Sequence, residues 1–211
     1  MSLIATNNGG GSKYPLLEAG SYPALCYSIV DLGDHYSQLY DKTSHKVLFI
    51  WELFTETLDT EEGEKPRVIS ATYTMSLNEK ASMRKMLESW RGRAFTDEEL
   101  KGFDLAKVLG KPCIISVVHS ERNGSTYANV GGVSKAMKGM AFPDKPFNPL
   151  VLFDLDAPDF LDALHDLPDW IQQRIKESET WKQKAAQRRE EIGMSDDFDD
   201  YPEEETNDLP F

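Results

Sequence analysis

Residues 46–54 read KVLFIWELF, a run rich in β-branched, aromatic and leucine side chains with no glycine or proline. Such a run is a strand. Successive side chains point to opposite faces, so Val47, Phe49, Trp51 and Leu53 share one face and Leu48, Ile50 and Phe54 share the other. The stretch before it, YPALCYSIVDL (22–32), is bounded by Pro23 and Gly33 and reads as an earlier strand. Between them residues 34–44 are polar and loop-like. Residues 55–66 are acidic and turn-prone, a hairpin tip, after which RVISATYTM (67–75) alternates as a third strand. Three strands on short links predict an antiparallel meander.

The period then changes. Ser76 and Glu79 have the spacing of a capping box, and Met83, Leu87 and Trp90 follow at helical spacing until Gly92. Thr96 and Glu99 repeat the capping pattern before a short helix, and a further turn over residues 104–109 stops at Gly110, ahead of Pro112. Strands resume with PCIISVVHS (112–120) and STYANVGGV (125–133), which flank Glu121-Arg122-Asn123-Gly124. Asn-Gly between β-branched runs is a hairpin signal. Three strands, a helical insert and a two-stranded hairpin make the order of an OB-fold, a small partly open barrel. The expected fold is mainly β: a five-stranded OB-fold barrel with a helical insert between strands 3 and 4 and helical additions.

Residues 1–13, rich in Asn, Gly and Ser, are expected as a flexible arm, and residues 14–138 as the barrel domain. Three prolines (Pro143, Pro146, Pro149) then mark a link. Helices are expected from Asp156-Ala157-Pro158 and around Asp166 to Asp169, where Pro168 suits a helix start. The second carries Trp170, Ile171 and Ile175, with Trp181 further along. Residues 139–192 thus read as a Pro-rich link and helices packed on the barrel, and 193–211 as an acidic tail too poor in apolar surface to order.

Charge looks at first like an argument against nucleic acid. The 211 residues include 23 basic and 36 acidic side chains, a formal net charge of -13. Its distribution reverses the argument. Residues 190–211 hold ten acids and no Lys or Arg, leaving 23 basic against 26 acidic residues in the body. Within that body, residues 65–138 hold 13 basic against 7 acidic. The acidity belongs to the tail, and the middle of the chain is basic.

Little else in the sequence suggests chemistry. There is no Gly-rich phosphate loop, HExxH or GxSxG motif. His35 and His45 share a loop with Asp31, Asp34 and Asp41, which reads as a solvated polar loop rather than a metal cluster. Asp154, Asp156 and Asp159 read as helix-capping acids. Cys26 and Cys113 lie in predicted strands and read as buried free thiols. No catalytic residue, cofactor or metal is therefore expected. No apolar run approaches the roughly 20 residues of a membrane span, and the opening residues lack the order of a signal peptide. The expectation is a cytoplasmic protein without membrane contact, monomeric or homodimeric.

What remains is a basic, aromatic-bearing barrel. Single strands bind such surfaces by counterion release at Lys and Arg and by stacking of bases on aromatic faces. The candidate stackers are Tyr27, Phe49, Trp51, Tyr73 and Tyr127. The candidate phosphate contacts are Lys46, Arg67, Arg84, Lys85, Arg91, Arg93, Arg122 and Lys135.

Two resemblances sharpen this. The sequence closes on Asp208-Leu209-Pro210-Phe211 after an acidic stretch, which resembles the C-terminal tip of bacterial single-stranded DNA-binding proteins, with leucine where isoleucine is usual. In that family the tip docks replication and repair proteins. The stretches YPALCYSIVDLG (22–33), KVLFIWEL (46–53), SATYTMSLNEKASMRKMLESWRGRAF (70–95) and TYANVGGV (126–133) resemble phage-encoded single-stranded DNA-binding proteins. The likeness covers roughly residues 22–173. It implies an OB-fold, sequence-tolerant binding of unpaired DNA in phage replication or recombination in the host cytoplasm, recruitment of partner proteins through residues 208–211, and no catalysis. The alternatives are an acidic DNA mimic that inhibits a host nucleic-acid enzyme, and a metal-dependent nuclease built on the acids of residues 154–159.

Overall fold

In the computed structural model, which describes residues 15–61 and 63–191 with side chains as far as 188, the chain is mainly β. Strands β1 (Gly20–Ser37), β2 (Lys42–Thr60) and β3 (Gly63–Thr74) form the expected meander. Helices α1 (Ser82–Arg91) and α2 (Asp97–Lys101) and a 3-10 turn (Leu105–Val108) precede β4 (Pro112–Arg122) and β5 (Ser125–Lys135). A short β6 (Val151–Phe153) leads into α3 (Phe160–His165), α4 (Asp169–Lys176) and α5 (Glu179–Glu191). The strand order is β3-β2-β1-β4-β5, antiparallel throughout, and β6 adds to β1 in parallel over residues 28–30. The sheet curls into a half-barrel. Its outer strands β3 and β5 approach one another without forming a ladder among the described residues, and α1 packs against both.

The two apolar faces of β2 decide the architecture, because each requires its own cover. Val47, Phe49, Trp51 and Leu53 point inward, where Met83, Met86, Leu87 and Trp90 of α1 and Ile115, Val117 and Val133 of the hairpin close over them. Leu48 and Ile50 point outward and are buried under Phe153, Leu155, Leu164, Ile171 and Ile175. Strand β1 serves both cores through a bulge. The register shift between Cys26 and Ser28 inserts one extra residue and changes the alternation, so Ala24, Cys26 and Ile29 face inward while Val30 and Leu32 face outward.

Several local expectations need correction. The strands β1 and β2 run through the stretch read as a loop, pairing Asp34 with His45 and Ser37 with Lys42, so the turn shrinks to residues 38–41. The acidic tip is likewise laddered, with Thr57 opposite Pro66 and Thr60 opposite Gly63. Backbone pairing is indifferent to side-chain polarity once a ladder extends outward from a buried centre. Ser76 and Glu79 do not cap α1. The Ser76 hydroxyl accepts from the Asn78 amide and the Asn78 side chain from the Lys80 amide, local turns that compete with helix. The helix begins only at Ser82, behind an Ala81 that offers no side-chain cap. By contrast Thr96 and Glu99 do form a capping box. At the β4–β5 turn Asn123 and Gly124 both have positive φ, 51° and 76°, the geometry for which Asn-Gly is suited. The acids of residues 154–159 cap little: Asp154 accepts from the Asp156 amide, while Asp159, before α3, makes no side-chain cap.

Cys26 and Cys113 are free and buried, and burial pushes both thiols up from their ordinary range. Reactivity follows the thiolate. Ellman's reagent is therefore expected to leave both unmodified in the native protein and to titrate two thiols in denaturant; rapid native labelling of either would contradict the packing.

Candidate nucleic-acid interface

A concave basic surface lies at one end of the half-barrel, where α1, the 3-10 turn and β5 meet. A cleft of about 280 Å³ opens there, lined by Arg91, Lys107, Lys111 and Lys135 against the rings of Trp90 and Phe103. Each cation is set by local structure. Gly92, in the left-handed conformation at φ 69°, ends α1, and its amide donates back to Glu88 and Ser89. A Cβ at this position would stand 2.7 Å from Lys135 Cδ, so the lysine stem lies across the bare glycine. The carbonyl end of α1 favours a cation there. Asp104 accepts from the Ala106 amide to start the 3-10 turn, which carries Lys107 to 5.7 Å from the centre of the Phe103 ring. The Arg91 guanidinium lies 4.8 Å from the same ring and 4.4 Å from Phe95. Such a contact holds the Lys107 charge without neutralising it, whereas Arg91 is also ion-paired to Glu99.

Glu99 closes one side of this region. Its carboxyl is held down to about 2, chiefly by Arg93, then by the Thr96 amide and by Arg91. The same side chain completes the capping box at Thr96. Arg91 Nη1 is buried and has no hydrogen-bond partner among the described residues.

The expected contact residues divide sharply. Phe49 and Trp51 are fully buried, stacked on each other at 5.7 Å, with Trp51 also 6.1 Å from Trp90. No base can reach them, which corrects their assignment as stackers. They face inward because the sheet curls and α1 covers that side. Tyr73 is half-buried, edge-on to Phe49 at 5.8 Å, and Tyr27 packs at the margin of the outer core. Burial raises both phenols to about 12. Tyr127, on the hairpin, is exposed.

Among the cations, Arg84 is committed to Glu88 and the Leu77 carbonyl, and Arg93 to Glu99. Arg67 donates to the Pro15 carbonyl and Lys46 to Thr74 Oγ1. Lys85, Arg122 and Lys135 are exposed. Only Arg91 and Lys135 of the expected set converge in the cleft. Lys107, Lys111 and Phe103 were not anticipated; the one signal in the sequence was a pair of lysines four apart bracketing Gly110. Exposed Tyr36 and Tyr40 beside the β1–β2 turn were also missed, although an aromatic in a polar stretch has no apolar partner along the chain. The tail residues Asp208, Leu209, Pro210 and Phe211 lie outside the described residues.

Comparison of the sequence with protein-family models and with curated proteins finds no match. Among the described residues no group of three or more His, Cys, Asp or Glu could hold a metal ion, and no helix is long and apolar enough to cross a membrane.

The stretch read as a solvated polar loop is instead paired strand carrying a part-buried cross-strand contact. His45 contacts Asp31 through Nε2 at 2.6 Å and Asp34 through Nδ1 at 3.2 Å. The bond to Asp31 is the main reason its pKa is raised above 6.5. Because the folded value is raised, this contribution to stability is complete below about 6.5 and is lost as pH rises through the folded value. A proton NMR titration of His45 should give a midpoint above 6.5, and Asp31→Asn should lower it; an unmoved midpoint in that variant would rule out the contact in solution.

Proposed function

We propose that this protein is an OB-type single-stranded DNA-binding protein that coats unpaired DNA without regard to sequence, in phage replication or recombination, and performs no catalysis. The observation that carries the reading is the placement of the basic middle of the chain. The segment with 13 basic against 7 acidic residues supplies β3, the helical insert and the β4–β5 hairpin. Four of its cations, Arg91, Lys107, Lys111 and Lys135, line one cleft beside the curled sheet, which offers a polyanion a cationic surface. The exposed aromatics Tyr36, Tyr40 and Tyr127 add surfaces on which bases stack without sequence preference. The acidic segment beyond residue 190 fits a recruiting role toward replication or recombination proteins.

The test is fluorescence anisotropy of a labelled thymidine oligonucleotide of about 30 residues, titrated with the full chain between about 50 and 300 mM salt. Tight binding that weakens steeply with salt, with duplex DNA bound much less well, is the expected result. Absence of binding at the lowest salt would overturn the reading. Cleavage of the oligonucleotide on adding magnesium or manganese would replace it with a nuclease.

A further inference from the structure

The geometry points to the cleft between α1, the 3-10 turn and β5 as the place where the strand's phosphates are held, in preference to the broad outer face of the sheet. This rests on the single-strand reading above and adds the track of the ligand. In OB-folds generally, oligonucleotides lie on the face of strands 2 and 3. Here that face is largely occupied. Leu48 and Ile50 of β2 are 1% and 5% exposed, beneath α3, α4 and α5. The inner face is no more accessible, being filled by Phe49 and Trp51. What remains open on β3 is the row Val68, Ser70 and Thr72. It carries no cation of its own, Arg67 beside it is turned to the Pro15 carbonyl, and Arg174 from α4 already bonds to Thr72. A polyanion laid along that row would meet hydroxyls, a valine and the single guanidinium of Arg174 at Thr72, against three exposed lysines at the cleft.

The cleft has the opposite character. Four cations converge on it, and Lys107, Lys111 and Lys135 are exposed with no ion-pair partner among the described residues. Its volume, about 280 Å³, lies at the lower end of small-ligand pockets, room for a sugar–phosphate unit. The buried Nη1 of Arg91 is a donor left over after Glu99 has taken Nη2. That guanidinium is thus a fixed wall of the cleft, and the three exposed lysines carry the cleft's free charge. Phosphate could also be offered by a free nucleotide, so the test separates the two sources.

Salt dependence of oligonucleotide binding should be compared for the wild-type chain, K107A/K111A/K135A, the milder K107A/K111A and the control V68E/S70E. Removing one cation that neutralises a phosphate lowers the slope of log affinity against log salt by about 0.7 for single strands. The triple variant is therefore expected to lose about 2 from the slope and roughly a hundredfold in affinity near 0.1 M salt. The double variant, which spares Lys135 and its packing across Gly92, should lose about two thirds of that slope change. V68E/S70E should bind nearly as wild type. If the wild-type chain binds but the lysine variants keep its slope, or if V68E/S70E abolishes binding, the strand lies on the sheet and the cleft is excluded. If the wild-type chain does not bind, the single-strand reading itself falls. Displacement of the oligonucleotide by thymidine monophosphate at equal phosphate concentration would mark a nucleotide pocket and overturn the backbone track.

Discussion

Trp51→Ala is expected to lower the stability of the domain by about 3–5 kcal/mol, a large part of the 5–15 kcal/mol typical of a folded protein; on the proposed single-strand function, oligonucleotide binding by the molecules that remain folded should be unchanged. The indole is 0% exposed and packs between Phe49 and Trp90. Truncation removes its packing and leaves a cavity that a β-sheet, held by its ladders, cannot collapse around. Trp51→Phe should cost much less. The Trp51 Nε1 is buried without a partner among the described residues, so the smaller ring loses volume but also removes a donor whose desolvation was never compensated. Urea unfolding of both variants, followed by anisotropy with a thymidine oligonucleotide, checks the pair. A Trp51→Ala chain with an unchanged unfolding midpoint and weakened oligonucleotide binding would return Trp51 to the interface.

Glu52→Ala carries the second large effect. Glu52 is 1% exposed on the outer face of β2. Its carboxyl accepts the Phe147 amide at 2.7 Å, the Asn148 amide at 3.0 Å and the Asn148 side-chain amide at 2.8 Å. These bonds fasten the Pro-rich link to the sheet. Alanine would strand three donors, at about 1–3 kcal/mol each before relaxation, so a net loss of roughly 3–5 kcal/mol is expected. Glu52→Gln keeps one acceptor oxygen but presents an amide nitrogen to a donor, and should lose about half as much. Native-state hydrogen exchange gives the local readout. The Phe147 and Asn148 amides should exchange faster in either variant while those of β1 and β4 stay protected. Equal acceleration everywhere would show that the link is not a separate element fastened by this residue.

Glu52 also marks where reading along the chain loses its force. A single acid among Leu48, Ile50, Trp51 and Leu53 was visible, but its purpose depends on amides 95 and 96 residues away, and no local pattern encodes those. The arginines show the same limit. Arg84 pairs with Glu88 one turn along the same helix, a local spacing, whereas Arg91 and Arg93 were legible as cations near a helix end, yet their charges are largely spoken for by Glu99, an acid that closes on them only after α1 and α2 fold together. Lys107 and Lys111 had nothing periodic to mark them and became significant because the 3-10 turn places them opposite Lys135.

Periodicity, turn chemistry and charge distribution determined the three-strand meander, the helical insert, the Asn123-Gly124 hairpin and the basic middle of the chain, since each is written in neighbours a few residues apart. Tertiary structure alone decided which face of each strand is wet. Alternation told that Phe49 and Trp51 share a side of β2, but both sides of that strand are apolar, and burial depends on what distant segments bring to cover them. Here α1 claimed one face and α3 to α5 the other, and the cleft beside α1 was left with three exposed lysines on its rim.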